Sequence, residues 1–286
     1  MRILFLAPRM PLPADTGGKI RTFNLIKQII RNHTMDLACF SFEKDDQAYA
    51  NELERLGVKV TLVPVGEPSL FKKIRLVLFS SAPYSAAKYC AGAMEEAIKV
   101  FLSKNAYDIV HVDHIHMAHY GHLLDGIPCL VDEHNVEYRI LERCADVETS
   151  RIKKEVFRGQ ARKMKRFEKG VIHGLSACSA VSDEDGRILR NLTGDAKPVY
   201  TLPNGVDTQY FKGTSTQDQE DAVVFTGSMD WFPNDDAAVY FCEDILPLIW
   251  KERPEVKFYI VGKAPSQRLK ELSNGEPRIV ITGRVD

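Results

Sequence analysis

Apolar residues recur with two different periods along the first 200 positions of the chain. Short apolar runs predict strands, and longer stretches with an apolar residue at every third or fourth position predict helices. Strands that alternate with helices are typical of βαβ units, in which helices cover both faces of a parallel sheet. The predicted strands are residues 2–7, 35–42, 58–63, 108–112, 129–132, 176–181 and 199–202, and the predicted helices are residues 18–32, 45–56, 85–104, 150–169 and 183–191.

The same alternation restarts after a polar segment, residues 213–221, which contains no apolar side chain and indicates an exposed connection. The elements predicted beyond it are strands at 222–226, 256–261 and 278–281 and helices at 235–250 and 266–272. The fold class is therefore α/β, with two Rossmann-like units. The expected domains are residues 1–207, a linker at 208–221 and residues 222–286. Three strands form one half of a doubly wound sheet, so we expect the second domain to be incomplete; a naturally small domain is the alternative.

Charge and cysteine content exclude several classes of protein. The 286 residues carry 38 Lys and Arg against 39 Asp and Glu, a formal charge of −1. A general nucleic-acid binder usually has a basic excess, so no nucleic-acid partner is expected. The six cysteines form no CxxC pair and are typical of reduced thiols in the cytosol. The first apolar run is too short for a signal peptide and no run reaches the length of a membrane span, so a cytoplasmic protein is expected.

A pair of glycines stands between the first predicted strand and the first predicted helix. Gly17 and Gly18 let backbone amides approach a ligand closely, and a helix N-terminus favours an anion such as a diphosphate. A plain strand-to-helix turn is the alternative. Neither GxGxxG nor GxxxxGK[ST] occurs in the chain, which argues against a Rossmann dehydrogenase and a P-loop NTPase.

Five of the eight histidines lie within residues 111–122. Metal binding is one interpretation, but neither a thiolate pair nor an HExxH motif accompanies them. Asp113 and His114 instead follow one strand directly, and the segment Asp132-Glu133-His134-Asn135 stands in the same way at the end of the next. Parallel strands that end side by side would bring these acid–histidine pairs to one polar cleft, where they suit acid–base work. Structural histidines bonded to the backbone are the other alternative.

Two segments combine cations with exposed or bulky apolar positions. Residues 151–170 hold nine Lys and Arg and two Glu, which indicates a solvated helix face or attraction to anionic headgroups or an anionic acceptor. Residues 70–79, LFKKIRLVLF, fit either a membrane interface or a core helix. An anionic membrane surface is therefore a further candidate partner, with the protein peripheral at the inner face of the cell membrane.

The order of several motifs resembles a known family. The segments are YDIVHVDH, DEHN, RFEKGVIHGLSACSAVSDEDGRIL, Leu-Pro-Asn-Gly-Val-Asp at 202–207, FTGSMDWFPN, FYIVGKAP and VITGRV. Together with the Gly17-Gly18 loop they resemble the family-4 retaining glycosyltransferases of GT-B architecture, and most closely the sugar transferases of bacterial exopolysaccharide clusters. The resemblance implies two Rossmann-like domains across a cleft, with a nucleotide-sugar donor and a glycan or lipid-linked acceptor.

The resemblance also implies roles for individual residues. Asp113 and His114 would lie beside the reacting sugar, with Glu133 and His134 on the acceptor side. It implies transfer with retention and without a metal or other cofactor, because cations and helix dipoles stabilise the departing diphosphate. The donor-binding positions would be Gly17, Gly18, Asn204, Gly227, Ser228, Gly262, Lys263 and Arg284.

The chain departs from the family pattern at three places. Ser228 and Asn234 stand where relatives often carry Arg and Lys, and Asp113 stands where they often carry His. The Glu-x7-Glu donor motif is absent and is expected beyond Asp286. Two alternatives therefore remain beside a glycosyltransferase: an inactive nucleotide or sugar-phosphate binding fragment, and a GT-B-like nucleotide-sugar epimerase.

Overall fold

The computed structural model describes residues 1–66, 68–124, 126–194, 196–212 and 221–285. Its contacts divide the chain into two compact units, Met1–Val206 and Asp207–Asp286. Most of the predicted linker, residues 213–220, lies outside the described residues. Among the helices of the described part, none is long and apolar enough to cross a membrane.

Seven parallel strands form the sheet of the first unit, in the order β3-β2-β1-β4-β5-β6-β7. They are β1 (Arg2–Ala7), β2 (Thr34–Ser41), β3 (Val58–Pro64), β4 (Ile109–Asp113), β5 (Cys129–Glu133), β6 (Ala177–Ala180) and β7 (Val199–Thr201). Because β1 pairs with both β2 and β4, the strand order reverses beside β1. Ligands of open α/β sheets bind at the carboxyl ends of the strands that flank such a reversal.

Helices cover both faces of this sheet. They are α1 (Gly17–Ile29), α2 (Asp46–Arg55), α3 (Leu70–Phe79), α4 (Tyr84–Ala87), α5 (Gly92–Lys104), a 3₁₀ helix (Ile115–Leu123), α6 (Glu137–Val147), α7 (Arg151–Gly174) and α8 (Asp183–Thr193). Side chains alternate across β1, so that Leu4 and Leu6 join one buried cluster while Ile3, Phe5 and Ala7 join another. Burial on both faces explains why these strands read as continuous apolar runs.

The second unit has a parallel sheet of three strands in the order β10-β9-β8. Its core includes Leu246, Phe258, Ile260 and Leu269. The elements are β8 (Ala222–Thr226), α9 (Phe232–Tyr240), a π turn (Phe241–Ile245), α10 (Leu246–Glu252), β9 (Lys257–Val261), α11 (Gln267–Gly275) and β10 (Ile279–Gly283).

All ten predicted strands are confirmed to within two residues at either end. The helices were predicted less well, because residues 85–104 form two helices, a π turn interrupts 235–250, and α6 was missed. The core-helix interpretation of residues 70–79 is wrong. This segment forms α3, none of whose residues is buried.

Candidate active site

The carboxyl ends of β4 and β5 meet beside the start of α1. Asp113 and Asp132 are register partners in neighbouring parallel strands, which confirms that the two acid–histidine segments end side by side. Gly17 is the first residue of α1, which follows β1. The three loops therefore converge where the strand order reverses, the position at which this class of sheet binds ligands.

Four buried charged groups form the base of this site. His134 Nε2 lies 2.9 Å from Asp113 Oδ1 and 3.4 Å from Asp132 Oδ2. Arg21 donates to Asp132 through Nε at 2.9 Å and Nη2 at 2.8 Å, the two-pronged geometry that suits a carboxylate. The net charge of these four groups is zero, because two are carboxylates, one is an imidazolium and one is a guanidinium. The buried charges are therefore paired.

The pKa values agree with a fully ionised network. Burial lowers the pKa of His134, but the hydrogen bonds to Asp113 and Asp132 outweigh it and raise the pKa to about 9. Burial alone would raise the pKa of Asp113, but His114 and His134 hold it below its usual value. His134 is therefore a cation at neutral pH, and Asp113 is an anion.

The structure corrects the expected role of Asp113 beside the reacting sugar. Its side chain is buried and accepts hydrogen bonds from Thr22 Oγ1 as well as from His134. A carboxylate enclosed in this way orients His134 and is not itself accessible to a substrate.

His114 is partly exposed at the top of this network. Its backbone φ is +65°, a rare conformation for a residue other than glycine. Its N–H donates to the carbonyl of Asp132 at 3.0 Å, and its ring lies 3.7 Å from the ring of His134, centroid to centroid. Burial is the main cause that lowers the pKa of His114 to about 4. His114 therefore presents a neutral imidazole at neutral pH.

Gly18 lies directly against this imidazole. A Cβ at position 18 would stand 3.4 Å from His114 Nε2 and 3.6 Å from His134 Nδ1, whereas one at Gly17 would meet nothing. The first turn of α1 carries no acidic residue, and Asp15, just before the helix, lies 3.5 Å from Lys19 Nζ. Arg21 Nη1 also donates to Asn204 Oδ1 at 2.9 Å, which brings the Asn204 loop to the edge of the site.

Three supporting residues were not predicted from the sequence: Arg21, Thr22 and Ser179. Ser179 Oγ donates to Asp132 Oδ1 at 2.6 Å from the neighbouring strand β6. Arg21 and Thr22 lie within the first two turns of a helix that begins at the glycine pair. This spacing was the signal by which the sequence could have indicated them. Nothing local to the sequence pointed to Ser179.

Glu133 does not join this site. Neighbouring residues in a strand point to opposite faces, so Glu133 faces away from the side that carries Asp132. It is fully buried, and its two carboxylate oxygens have no hydrogen-bond partner within the described chain. Burial and then the charge of Glu168 raise its pKa. Glu168 itself accepts from the N–H groups of Glu137 and Tyr138 at the start of α6. The expected acceptor-side position of Glu133 is thus an interior one.

We expect Glu133→Gln to increase the stability of the first unit at about pH 8, by about 1–2 kcal/mol. Burial followed by Glu137 raises the pKa of Glu168 to about 8, so the folded pair retains a proton that the unfolded chain has lost. The unfolding free energy therefore falls as pH rises toward 8. The amide variant should flatten this slope without abolishing it, because His134 contributes with the same sign up to its pKa of about 9.

Thermal unfolding followed by circular dichroism from about pH 6 to about pH 8 measures the slope. The matched control is Glu96→Gln, whose carboxylate is 70% exposed and whose ion pair with Lys99 should contribute little. Equal slopes in wild type and Glu133→Gln would contradict the shared proton.

In the second unit, two predicted glycines pack backbone to backbone. Gly227 N donates to Val261 O and Gly262 N donates to Gly283 O, both at 2.9 Å. A Cβ at position 262 would stand 1.7 Å from the carbonyl oxygen of Gly227, and φ there is +156°. Only glycine therefore fits at position 262, and the loops after β8 and β9 come together at the carboxyl edge of their sheet.

The loop after β8 is braced by polar side chains. Asn234 Nδ2 donates to the carbonyl of Ser228 at 3.0 Å, and Ser228 Oγ donates to Asp230. Lys263 Nζ lies 3.6 Å from Asp230 Oδ2, so the structure brings Lys263 to the Ser228 loop. Arg284 is exposed directly after β10, the strand beside β9. Asn234 therefore holds this loop in place.

Among the described residues, ligand-type side chains of the site form three overlapping groups with ligand atoms within 4.8 Å of one another. Two of them use Asp113 or Asp132, whose oxygens already accept hydrogen bonds from neighbouring side chains. The third comprises His114, His116 and Glu137. His116 Nε2 is buried without a hydrogen-bond partner in the described chain and lies 3.9 Å from Glu137 Oε2. This third group is the one whose donor atoms suit a divalent cation.

Comparisons with known proteins agree with the order of these elements. The family model described as Glycosyltransferase Family 4 matches residues 47–210, and that described as Glycosyl transferases group 1 matches residues 220–286. Among curated proteins, none matches this chain.

Three solved structures are similar over 100% of this chain. The sucrose-phosphate synthase of Thermosynechococcus elongatus has a TM-score of 0.67 at 15% identity, with 71% of its own chain covered. Anabaena Alr3699/HepE in complex with UDP and glucose has a TM-score of 0.60 at 16% identity, with 70% of its own chain covered. The apo form of the lipopolysaccharide outer core galactosyltransferase WaaB has a TM-score of 0.54 at 12% identity, with 69% of its own chain covered. Because the family-4 model matches more than half of its residues and these neighbours share its fold, the chain belongs to glycosyltransferase family 4 and is a glycosyltransferase of the GT-B fold.

Proposed function

We propose that this protein transfers a sugar from a nucleotide-sugar donor to a glycan or lipid-linked acceptor, with retention of the anomeric configuration, in cytoplasmic polysaccharide synthesis. The observation that carries the proposal is the position of His114. A neutral, partly exposed imidazole lies against Gly18 at the N-terminus of α1, where the strand order reverses. A nucleotide-sugar needs a hydrogen-bonding group beside its sugar and an anion site beside its diphosphate. This arrangement offers both.

In this proposal the first unit acts mainly by electrostatics. The amides of Gly17 and Gly18 and the dipole of α1 stabilise the negative charge that develops on the departing diphosphate. His114 hydrogen-bonds the sugar, and the ring of the ion-paired His134 lies beneath it and supports its position. Arg21 holds both Asp132 and Asn204, so the orientation of the network depends on this residue.

The second unit supplies the proposed donor-nucleotide site. Gly227, Ser228, Gly262 and Lys263 lie together at the carboxyl ends of β8 and β9. Backbone amides free of side chains suit the phosphates and base of a nucleotide. Lys263 or Arg284 provides the cation that Ser228 and Asn234 do not. The structures of Anabaena Alr3699/HepE with UDP and with UDP-glucose support a uridine nucleotide as the first donor to test.

Transfer is proposed to proceed without a metal ion. The two cations of the base, His134 and Arg21, are permanently in place and neutralise the buried carboxylates. Addition of EDTA should therefore leave the rate of transfer unchanged. A loss of activity that Mg²⁺, Mn²⁺ or Zn²⁺ restores would instead point to the group formed by His114, His116 and Glu137.

The test uses radiolabelled UDP-, GDP- and ADP-glucose with bacterial lipid extracts as acceptors. We expect one nucleotide series to bind in calorimetry and to label an organic-soluble product whose anomeric configuration, read by NMR, equals that of the donor. Nucleotide binding without transfer would favour the binding-fragment alternative. An epimerised free sugar with no glycoside would favour the epimerase. Both outcomes contradict the proposal.

A further inference from the structure

The helix α3 carries a row of large apolar side chains on its outer surface. Leu70, Ile74 and Leu78 follow one another at intervals of four residues and are 74%, 49% and 60% exposed. Phe71 and Phe79 extend the row and are 78% and 80% exposed. Monomeric soluble proteins rarely leave so many neighbouring large apolar residues in water, and such a patch indicates an interaction surface.

The first turns of α7 continue this row. Ile152 is 80% exposed and Val156 is 40% exposed, and both line a shallow groove with Val77 and Leu78. We refer to Leu70, Phe71, Ile74, Leu78, Phe79, Ile152 and Val156 as the α3–α7 face.

Polar contacts attach α3 to the rest of the unit. Gln160 Nε2 and Lys163 Nζ of α7 donate to the carbonyl of Val77, at 3.1 and 2.9 Å. Gln160 Oε1 in turn accepts from the N–H of Tyr84 at 2.8 Å. These bonds hold the C-terminal end of α3 against α7, while its large apolar side chains remain exposed. The face is therefore a fixed feature of the surface and not a helix that lacks support.

Cations surround the α3–α7 face. Residues 70–79 and 151–158 contain seven Lys and Arg and a single acidic residue, Glu155. Glu155 is paired with Arg158 at 2.7 Å, so its charge is offset. The chain as a whole has a charge of −1, so this local excess is a property of the face. Apolar residues bordered by cations are complementary to a surface of acyl chains beneath anionic headgroups.

We infer that the α3–α7 face docks on an anionic lipid bilayer, with α3 lying in the plane of the interface. The apolar side chains enter the boundary between headgroups and acyl chains, while Lys72, Arg75 and Lys154 meet the headgroup phosphates. This inference depends only on the α3–α7 face, so its test is independent of the test of the proposed sugar transfer.

Flotation of the full chain with vesicles tests the inference. The vesicles contain roughly one-third phosphatidylglycerol and two-thirds phosphatidylcholine, with phosphatidylcholine alone for comparison. Wild type should float with the anionic vesicles at low salt and much less with the neutral ones. Phe71→Gln/Leu78→Gln should weaken binding at least about 10-fold, because two buried apolar side chains are lost. Lys72→Gln/Arg75→Gln should weaken binding and reduce its salt dependence.

The control pair is Tyr240→Gln/Leu248→Gln in the second unit, whose side chains are 58% and 59% exposed. These substitutions should leave flotation unchanged. All substituted positions are exposed, so unfolding temperatures should match wild type. Equal binding to neutral vesicles, or equal losses in the control pair, would overturn the inference. So would a concentration-dependent dimer in sedimentation equilibrium that Phe71→Gln/Leu78→Gln abolishes, because the face would then be an interface between copies.

Discussion

Replacement of His114 with asparagine should lower the rate of sugar transfer about 100-fold, the usual effect of removing a positioned acid–base or hydrogen-bonding group. The backbone at position 114 has φ +65° and ψ +138°, outside the left-handed helical region, and the wild-type histidine already bears the strain of this conformation. Asparagine also carries a Cβ and should bear a similar strain, so the unfolding temperature should change little. The measurement is kcat/KM for the donor identified by the transfer assay, together with thermal unfolding.

His122→Asn is the matched control, because His122 is exposed in the 3₁₀ helix that directly follows His114. It should be as active as wild type. An active His114→Asn variant, or one whose loss is explained by unfolding, would remove His114 from the mechanism.

Asp113→Asn distinguishes a positioning residue from one that touches substrate. Without the carboxylate, the pKa of His134 should fall from about 9 because one of its two anionic partners is gone. The alkaline limb of the pH–rate profile should then move to lower pH. An unchanged profile at a reduced rate would contradict the role of Asp113 through His134.

Replacement of Gly262 with alanine should destabilise the second unit by about 3 kcal/mol or more, within the range of severe steric mutations. The new Cβ would stand 1.7 Å from the carbonyl oxygen of Gly227, which is backbone and cannot rotate away. The loops after β8 and β9 must then separate, and the proposed nucleotide binding should be lost with them. The first unit should be unaffected, because its core is separate.

Tryptophan fluorescence measures this effect selectively, since both tryptophans of the chain, Trp231 and Trp250, belong to the second unit. Gly275→Ala is the control, because a Cβ at Gly275 in α11 would meet nothing within 4 Å. It should be neutral or slightly stabilising. Equal denaturation midpoints for the two variants would show that the loops adjust without loss.

The periodicity of apolar residues was sufficient to predict the strands, because buried parallel strands leave a short continuous run that few other elements produce. The helices were harder to predict. Glu137–Val147 begins where Glu168, 31 residues away along the chain, accepts the N–H of Glu137, and no local cap announces it. Residues 70–79 have the composition of a core helix, and only packing shows that the described chain leaves their apolar side largely exposed.

The sequence alone was enough to predict the strands, the residues that follow each strand, and the family. Those properties are local or are carried by motif order. Tertiary structure alone decided that Arg21 meets Asp132, 111 residues away, and that His134 is shared by two carboxylates. It also separated Asp132 from its neighbour Glu133, because successive side chains of a strand point to opposite faces. The charge state, the burial and the contacts of these side chains depend on which strands are neighbours. Strand order is set by the packing of the whole sheet.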